Sequence, residues 1–146
     1  MNEQAPIGIA VVGHGSTASQ LLAAARAILP TGSLDHIIAI DAGLGETPIL
    51  SETMCSAIAT ADRGRGVVVL VDLFGASPCQ CARKQGLGHP LAVVSGLTLA
   101  MLLKLATIDR TRVELSALAQ AVADAAHRSV AISAGDSAGE EVSASG

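Results

Sequence analysis

Along most of this chain, short runs of β-branched and aliphatic residues alternate with alanine- and leucine-rich stretches of helical spacing. Ile7–Val12, Leu34–Ile40, Gly66–Asp72 and Leu91–Val94 read as strands. Thr17–Leu29, Pro48–Ala61, a stretch from Ser77-Pro78 to Gly86, Thr98–Ala106 and Val113–Arg128 read as helices. Ser16 stands where a helix N-cap belongs, and Thr47-Pro48 and Ser77-Pro78 each set a capping residue before a proline suited to the first helical position. Such alternation builds an α/β fold, a doubly wound and mostly parallel sheet with helices on both faces. The order expected is 2-1-3-4. The unbroken apolar character of Gly66–Asp72 fits a strand covered on both faces.

Composition narrows the function classes. The chain has 146 residues, half of them hydrophobic, with one Phe and neither Trp nor Tyr. That length predicts one domain, assigned to residues 1–132. Residues 133–146 are Ser, Gly, Ala and acid with little to bury, and are expected to form a disordered tail. Net charge is -4, and the basic residues are scattered. Nucleic acid is not an expected partner, because a backbone-tracking basic stripe and aromatic stacking platforms are both missing from the sequence. The uncharged run Pro90–Leu103 is shorter than the roughly 20 residues a spanning helix needs, and Ser95-Gly96 interrupts it. The first residues lack the basic and apolar regions of a signal peptide. A cytoplasmic location is expected. Three cysteines fit a reducing compartment. Cys79 and Cys81 have neither zinc-knuckle nor CxxC spacing, and with Cys55 they read as small packed residues.

Doubly wound sheets bind ligands beyond the carboxyl ends of their strands, where strand order reverses. In the expected order the reversal lies between the first and third strands, which end at Gly13-His14 and at Asp72. Gly13-His14-Gly15-Ser16 sets an imidazole between two glycines at that turn. His36 and His89 precede strands, on the opposite edge, and His127 falls near the end of the last helix, so only His14 is expected at the ligand edge. His14 is therefore a candidate for a reactive or ligating role, the alternative being a hydrogen-bonded loop histidine. Asp72 ends an apolar strand, where an unpaired acid is costly. It is either a cap or solvated loop acid, or a group that takes Nδ1–H of His14 and leaves Nε2 as nucleophile. The backbone N–H groups opening the helix at Ser77-Pro78, approached across Gly75 and Ala76, form a candidate anion site. Phe74 is a plug over the sheet edge or a wall of the site. No P-loop lysine and no GxGxxG follow the first strand, so no nucleotide site is expected. Together these parts describe a histidine that accepts a phosphoryl group without a cofactor: no metal and no nucleotide are called for.

Three motifs, Val12-Gly13-His14-Gly15, Val69 to Pro78 and Val94 to Leu102, occur in order over roughly Ile7–Ile132. With them the chain resembles the mannose-type IIA component of the bacterial phosphoenolpyruvate-dependent sugar phosphotransferase system. The resemblance implies a phosphohistidine carrier. In it His14 matches the phosphorylated histidine, which receives the group from the phosphocarrier protein HPr and passes it to a IIB component for sugar uptake, or to a regulatory target. Asp72 matches the acid that hydrogen-bonds that histidine, and Ser77 the serine near the phosphoryl group. The resemblance also implies a homodimer that exchanges a C-terminal strand, here Val130-Ala131-Ile132. The chain departs from the family pattern at Leu73-Phe74-Gly75-Ala76, where a bulky aromatic and paired glycines are usual; no fused IIB domain is expected, and the resemblance implies contact with a membrane permease that is at most peripheral.

Two other readings stand beside this one. Small tetrapyrrole metal chelatases of the cobaltochelatase type also resemble this chain at a Gly-His-Gly-Ser turn after the first strand, with the histidine as metal ligand. They would need a second histidine or acid at the same edge. A non-catalytic regulatory domain controlled by phosphorylation of His14 would share the chemistry and differ in what receives the signal.

Overall fold

Consecutive Val, Ile, Leu and Ala residues make β1 (Gly8–Gly13) and β3 (Val67–Val71) buried at every position, as strands at the centre of a covered sheet must be. The computed structural model describes residues 5–43, 48–72 and 89–135. In it β1 and β3 pair in parallel, β2 (Ile38–Asp41) flanks β1, and β4 (Leu91–Ser95) flanks β3. The order is β2-β1-β3-β4, as the alternation predicts. The helices among the described residues are α1 (Thr17–Ile28), α2 (Pro48–Ala61), α3 (Leu99–Leu105) and α4 (Leu115–Ser129).

Because side chains alternate across a strand, β1 and β3 feed two cores. Ile9, Val11, Val68 and Leu70 pack with Leu22 of α1, Met101 and Leu102 of α3, and Leu118 and Val122 of α4. Ala10, Val12, Val67, Val69 and Val71 pack with Met54, Ile58 and Ala61 of α2. Each fully buried Val or Leu contributes about 1.5–3 kcal/mol by leaving water. Thr98 caps α3, its hydroxyl accepting from the amide of Met101 at 3.3 Å. Among the described residues no helix is long and apolar enough to cross a membrane.

Two local expectations change. The second strand begins at Ile38 and not Leu34, because residues 31–36 turn through backbone bonds from Ser33 to Pro30 and from Asp35 to Gly32. Leu34 and Ile37 are buried all the same, so their apolar run reports burial and not strand pairing. Of the expected C-terminal strand Val130-Ala131-Ile132, Ile132 takes a β-bridge, and Val130 and Ile132 are 62% and 61% exposed. Cys55 is buried in α2, as a packed cysteine should be, but it is disulfide-bonded, and its partner lies outside the described residues. Spacing arguments test only neighbours in sequence, and a bridge between distant segments leaves no such pattern. Cys79, Cys81 and the tail from residue 136 also lie outside the described residues.

At the amino ends of the strands, polar groups close the fold. Arg65 donates to the carbonyls of Ala5, Arg110 and Val113, and Arg110 to that of Ile7. Burial lowers the Arg110 pKa. Asp62, its side chain 8% exposed, accepts from the amides of Gly64 and Gly66, both at 2.9 Å, and faces Nδ1 of His89. Burial pushes the Asp62 carboxyl up, but the bonds from His89, Gly64 and Gly66 outweigh it and hold it below its ordinary value. A carboxyl whose pKa is depressed by folding stabilises above its unfolded pKa of about 4 and loses that contribution as pH falls through the folded value. Asp62→Asn is therefore expected to cost about 1–3 kcal/mol at pH 7, with a smaller loss between pH 5 and pH 2 than in the parent. Urea midpoints across that range check it, and parallel curves for the two proteins would refute it.

Candidate functional site

The carboxyl edge of the sheet gathers the ends of β1, β2, β3 and β4. β1 runs straight into the turn Gly13 to Ser16, in which Gly15 takes a φ of +56° that favours glycine. The turn is fastened on both flanks. Toward β2, Gly15 N donates to Gly43 O and Ala42 N to Gly13 O, both at 2.7 Å. Toward β3, Asp72 N donates to Val12 O at 3.3 Å. The carbonyl of His14 accepts from the amide of Thr17 at 3.0 Å and from the Thr17 hydroxyl, which ties the turn to the first residue of α1.

Asp72, one residue past β3, reaches across to the neighbouring strand end. Its Oδ2 accepts from the backbone amide of His14 at 2.8 Å, and Nδ1 of the imidazole lies 3.0 Å from Oδ2 and 3.2 Å from Oδ1. An ionised carboxylate only accepts, so Nδ1 faces it as the donor, and in the neutral imidazole that tautomer leaves the lone pair on Nε2. Among the described residues nothing hydrogen-bonds Nε2, and the His14 side chain is 52% exposed against 22% for Asp72. The result is a half-exposed imidazole whose direction is set by a carboxylate.

Of the residues expected at the site, His14 and Asp72 are brought together. Gly75, Ala76 and Ser77, with Phe74, lie outside the described residues. His36 and His89 precede β2 and β4 and so stand at the opposite edge. His127 does not follow the expectation that His14 alone sits at the ligand edge: it lines a groove of about 240 Å³ with Ser95, Gly96 and Thr98, at the carboxyl end of β4. The reason is topological. α3 and α4 follow each other with no strand between them, so α4 returns to the carboxyl edge that α3 left.

Sequence reasoning missed Asp41. It ends β2 in register with Gly13, and its carboxylate accepts from the Ser19 amide at 3.0 Å and from the Ser19 hydroxyl. The Ser19 hydroxyl and then its amide hold the Asp41 carboxyl below its ordinary value, with slight burial opposing. Ser16 occupies the N-cap position of α1, as expected, but its side chain makes no capping bond. The available signal was an acid at a strand end beside a helix start.

A parallel, doubly wound sheet with a carboxylate-held histidine at its switch point defines a class, the α/β proteins whose candidate site lies beyond the carboxyl ends of the strands. Residues 8–123 match the family described as PTS system fructose IIA component, and the chain belongs to that family. Its members are phosphotransferase-system proteins, and membership supports a phosphocarrier role in general. Solved structures agree on the fold. Phosphotransferase system component EIIA from Streptococcus agalactiae is 22% identical, with a TM-score of 0.67 over 86% of this chain and 96% of its own. The mannose/sorbose specific IIA subunit from Enterococcus faecalis is also 22% identical, with a TM-score of 0.67 over 88% and 95%. A putative phosphotransferase-system permease from Klebsiella pneumoniae is 23% identical, with a TM-score of 0.66 over 88% and 92%. No curated protein sequence matches the chain.

Proposed function

We propose that this chain is a phosphohistidine carrier that takes a phosphoryl group from phosphorylated HPr onto Nε2 of His14 and passes it to a IIB component, for sugar uptake, or to a regulatory target. The observation that carries the reading is the Asp72 carboxylate on Nδ1 of a half-exposed imidazole, whose Nε2 has no hydrogen-bond partner among the described residues. The Nε2 lone pair forms the new bond to phosphorus as the donor's bond to phosphorus breaks. The Nδ1 proton stays in place, and the positive charge that develops on the ring is met by Asp72 at 3.0 Å. Transfer onward reverses the step, with the acceptor's nucleophile taking the phosphorus and the neutral imidazole leaving. Gly75, Ala76 and Ser77 are proposed to hold the phosphoryl oxygens, on the strength of the motif alone.

A homodimer formed by exchange of residues 130–132 belongs to the same proposal. In its support, β4 is an edge strand among the described residues, and Val130 and Ile132 expose apolar side chains just beyond α4. Residues 1–132 would form the folded unit and 133–146 a tail. The chelatase reading finds less support: of the other histidines, His36 and His89 stand at the wrong edge, and His127 faces a groove at β4, two strands from β1.

The direct test mixes the protein with phosphoenolpyruvate, enzyme I and HPr, and measures intact mass. One acid-labile phosphoryl group is expected. No uptake from an HPr that is itself phosphorylated would refute the carrier reading. Asp72→Asn is expected to slow acceptance about 100-fold or more while phospho-HPr binding changes little, because orientation and charge balance act in the transition state. Stopped transfer time courses over a range of phospho-HPr concentrations separate the two, and unchanged kinetics would remove Asp72 from the chemistry.

A further inference from the structure

We infer that Asp41 is a positioning residue for His14, holding the first turn of α1 and through it the turn that carries the imidazole. The inference rests on the phosphoryl-carrier reading for its kinetic test, and on geometry alone for its structural one.

The first amides of any helix lack partners within the helix and need an outside acceptor. In α1 the N-cap side chain of Ser16 does not supply one. The acceptor comes from the neighbouring strand: Asp41 takes both the amide and the hydroxyl of Ser19, the third residue of the helix. A carboxylate there also faces the positive end of the helix dipole.

The two residues after Asp41 extend the reach of this cap. Asp41, Ala42 and Gly43 run alongside the His14 turn, and each fastens a different part of it or of the helix behind it. Asp41 fixes Ser19, Ala42 bonds Gly13, and Gly43 bonds Gly15. The His14 carbonyl is bonded in turn to Thr17, within the turn of helix that Asp41 holds. A shift of that turn therefore moves the carbonyl of His14 directly. Two acids from the two strands flanking β1 thus grip one turn from opposite sides. Asp72 touches the imidazole, and Asp41 acts only through α1 and the backbone.

A plain cap and a positioning group make different predictions. Loss of a cap lowers the unfolding temperature and leaves the rate per folded molecule alone. Loss of a positioning group tilts the nucleophile, and misplacement by about 1 Å can cost up to roughly 100-fold in rate.

The experiment measures single-turnover phosphoryl acceptance from phospho-HPr, thermal unfolding and the imidazole ¹⁵N resonances of His14. It compares the parent with Asp41→Ala, Asp41→Asn, Ser19→Ala and the double variant Asp41→Ala with Ser19→Ala. Asp41→Ala is expected to slow acceptance about 10-fold or more per folded molecule, with the half-saturating phospho-HPr concentration within about two-fold of the parent. It should also shift the His14 ring resonances. Asp41→Asn, which keeps an acceptor for the Ser19 amide, should recover part of the rate. Ser19→Ala should move in the same direction by less, and the double variant should be no slower than Asp41→Ala, because the two groups act through one contact. Parent-like rates and ring resonances in folded Asp41→Ala would overturn the inference. If that variant does not fold, parent-like behaviour of both Asp41→Asn and Ser19→Ala overturns it. If the parent itself takes up no phosphoryl group, the carrier reading fails, and the ring resonances alone decide whether Asp41 positions His14.

Discussion

His14→Ala is expected to take up no phosphoryl group from phospho-HPr, while the fold and its unfolding temperature stay within about 3 °C of the parent. The loss should be complete, because the other histidines are not at the β1 turn and none is held by Asp72. Stability should survive because the imidazole is half exposed and its removal opens no cavity in either core. Asp72 keeps one of its partners even then, the backbone amide of residue 14, so the two strand ends remain joined. Intact mass reads the phosphoryl group, and circular dichroism during heating reads the fold. Stoichiometric, acid-labile label on the variant would move the acceptor elsewhere in the chain.

Gly8→Ala should be the most damaging single methyl addition at the other end of β1. A Cβ at position 8 would lie 2.2 Å from the carbonyl oxygen of Ala61 and 2.7 Å from its carbonyl carbon. Both are backbone atoms at the end of α2, so no side chain can swing aside. Either α2 lifts from the sheet, loosening Met54, Ile58 and Ala61 from the valines of β3, or β1 shifts against its partners. Forced overpacking of this kind costs about 3 kcal/mol or more, a large share of the 5–15 kcal/mol that holds a typical domain together. The unfolding temperature should fall by roughly 10 °C. Acceptance per folded molecule should be unchanged, because Gly8 stands at the opposite end of β1 from His14. An unchanged melting curve would show that α2 does not approach the strand this closely.

The legibility of the site divides along physical lines. Asp72 was legible because an acid closing a run of valines has no cheap place to go except to a partner. His14 was legible because a histidine between two glycines, after a strand and before a helix, lands at the one edge where doubly wound sheets keep their ligands. Asp41 was not, because Ser16 is a better local candidate for capping α1, and only the register of β2 against β1 brings Asp41 over Ser19. His127 reaches the ligand edge because α3 and α4 follow each other with no strand between them, a return that the two consecutive helical stretches already imply. Leu34 and Ile37 show a limit in the fold, since burial in a turn and burial in a strand leave the same apolar trace.

The layering and the order of the sheet are written in the residues themselves. Uninterrupted aliphatic strands need cover on both faces, and helices of this length between parallel strands supply it with one handedness and few topologies. The residues also dictate that one histidine and one acid close adjacent strands. Their contact belongs to the folded chain, which sets Nδ1 3.0 Å from Oδ2 and brings a second acid to hold the helix behind them. Hydrophobic periodicity encodes which face is buried, because burial scales with area and needs no direction. A hydrogen bond needs distance and angle together, and these are set by strand register and helix placement, which no local stretch of residues contains.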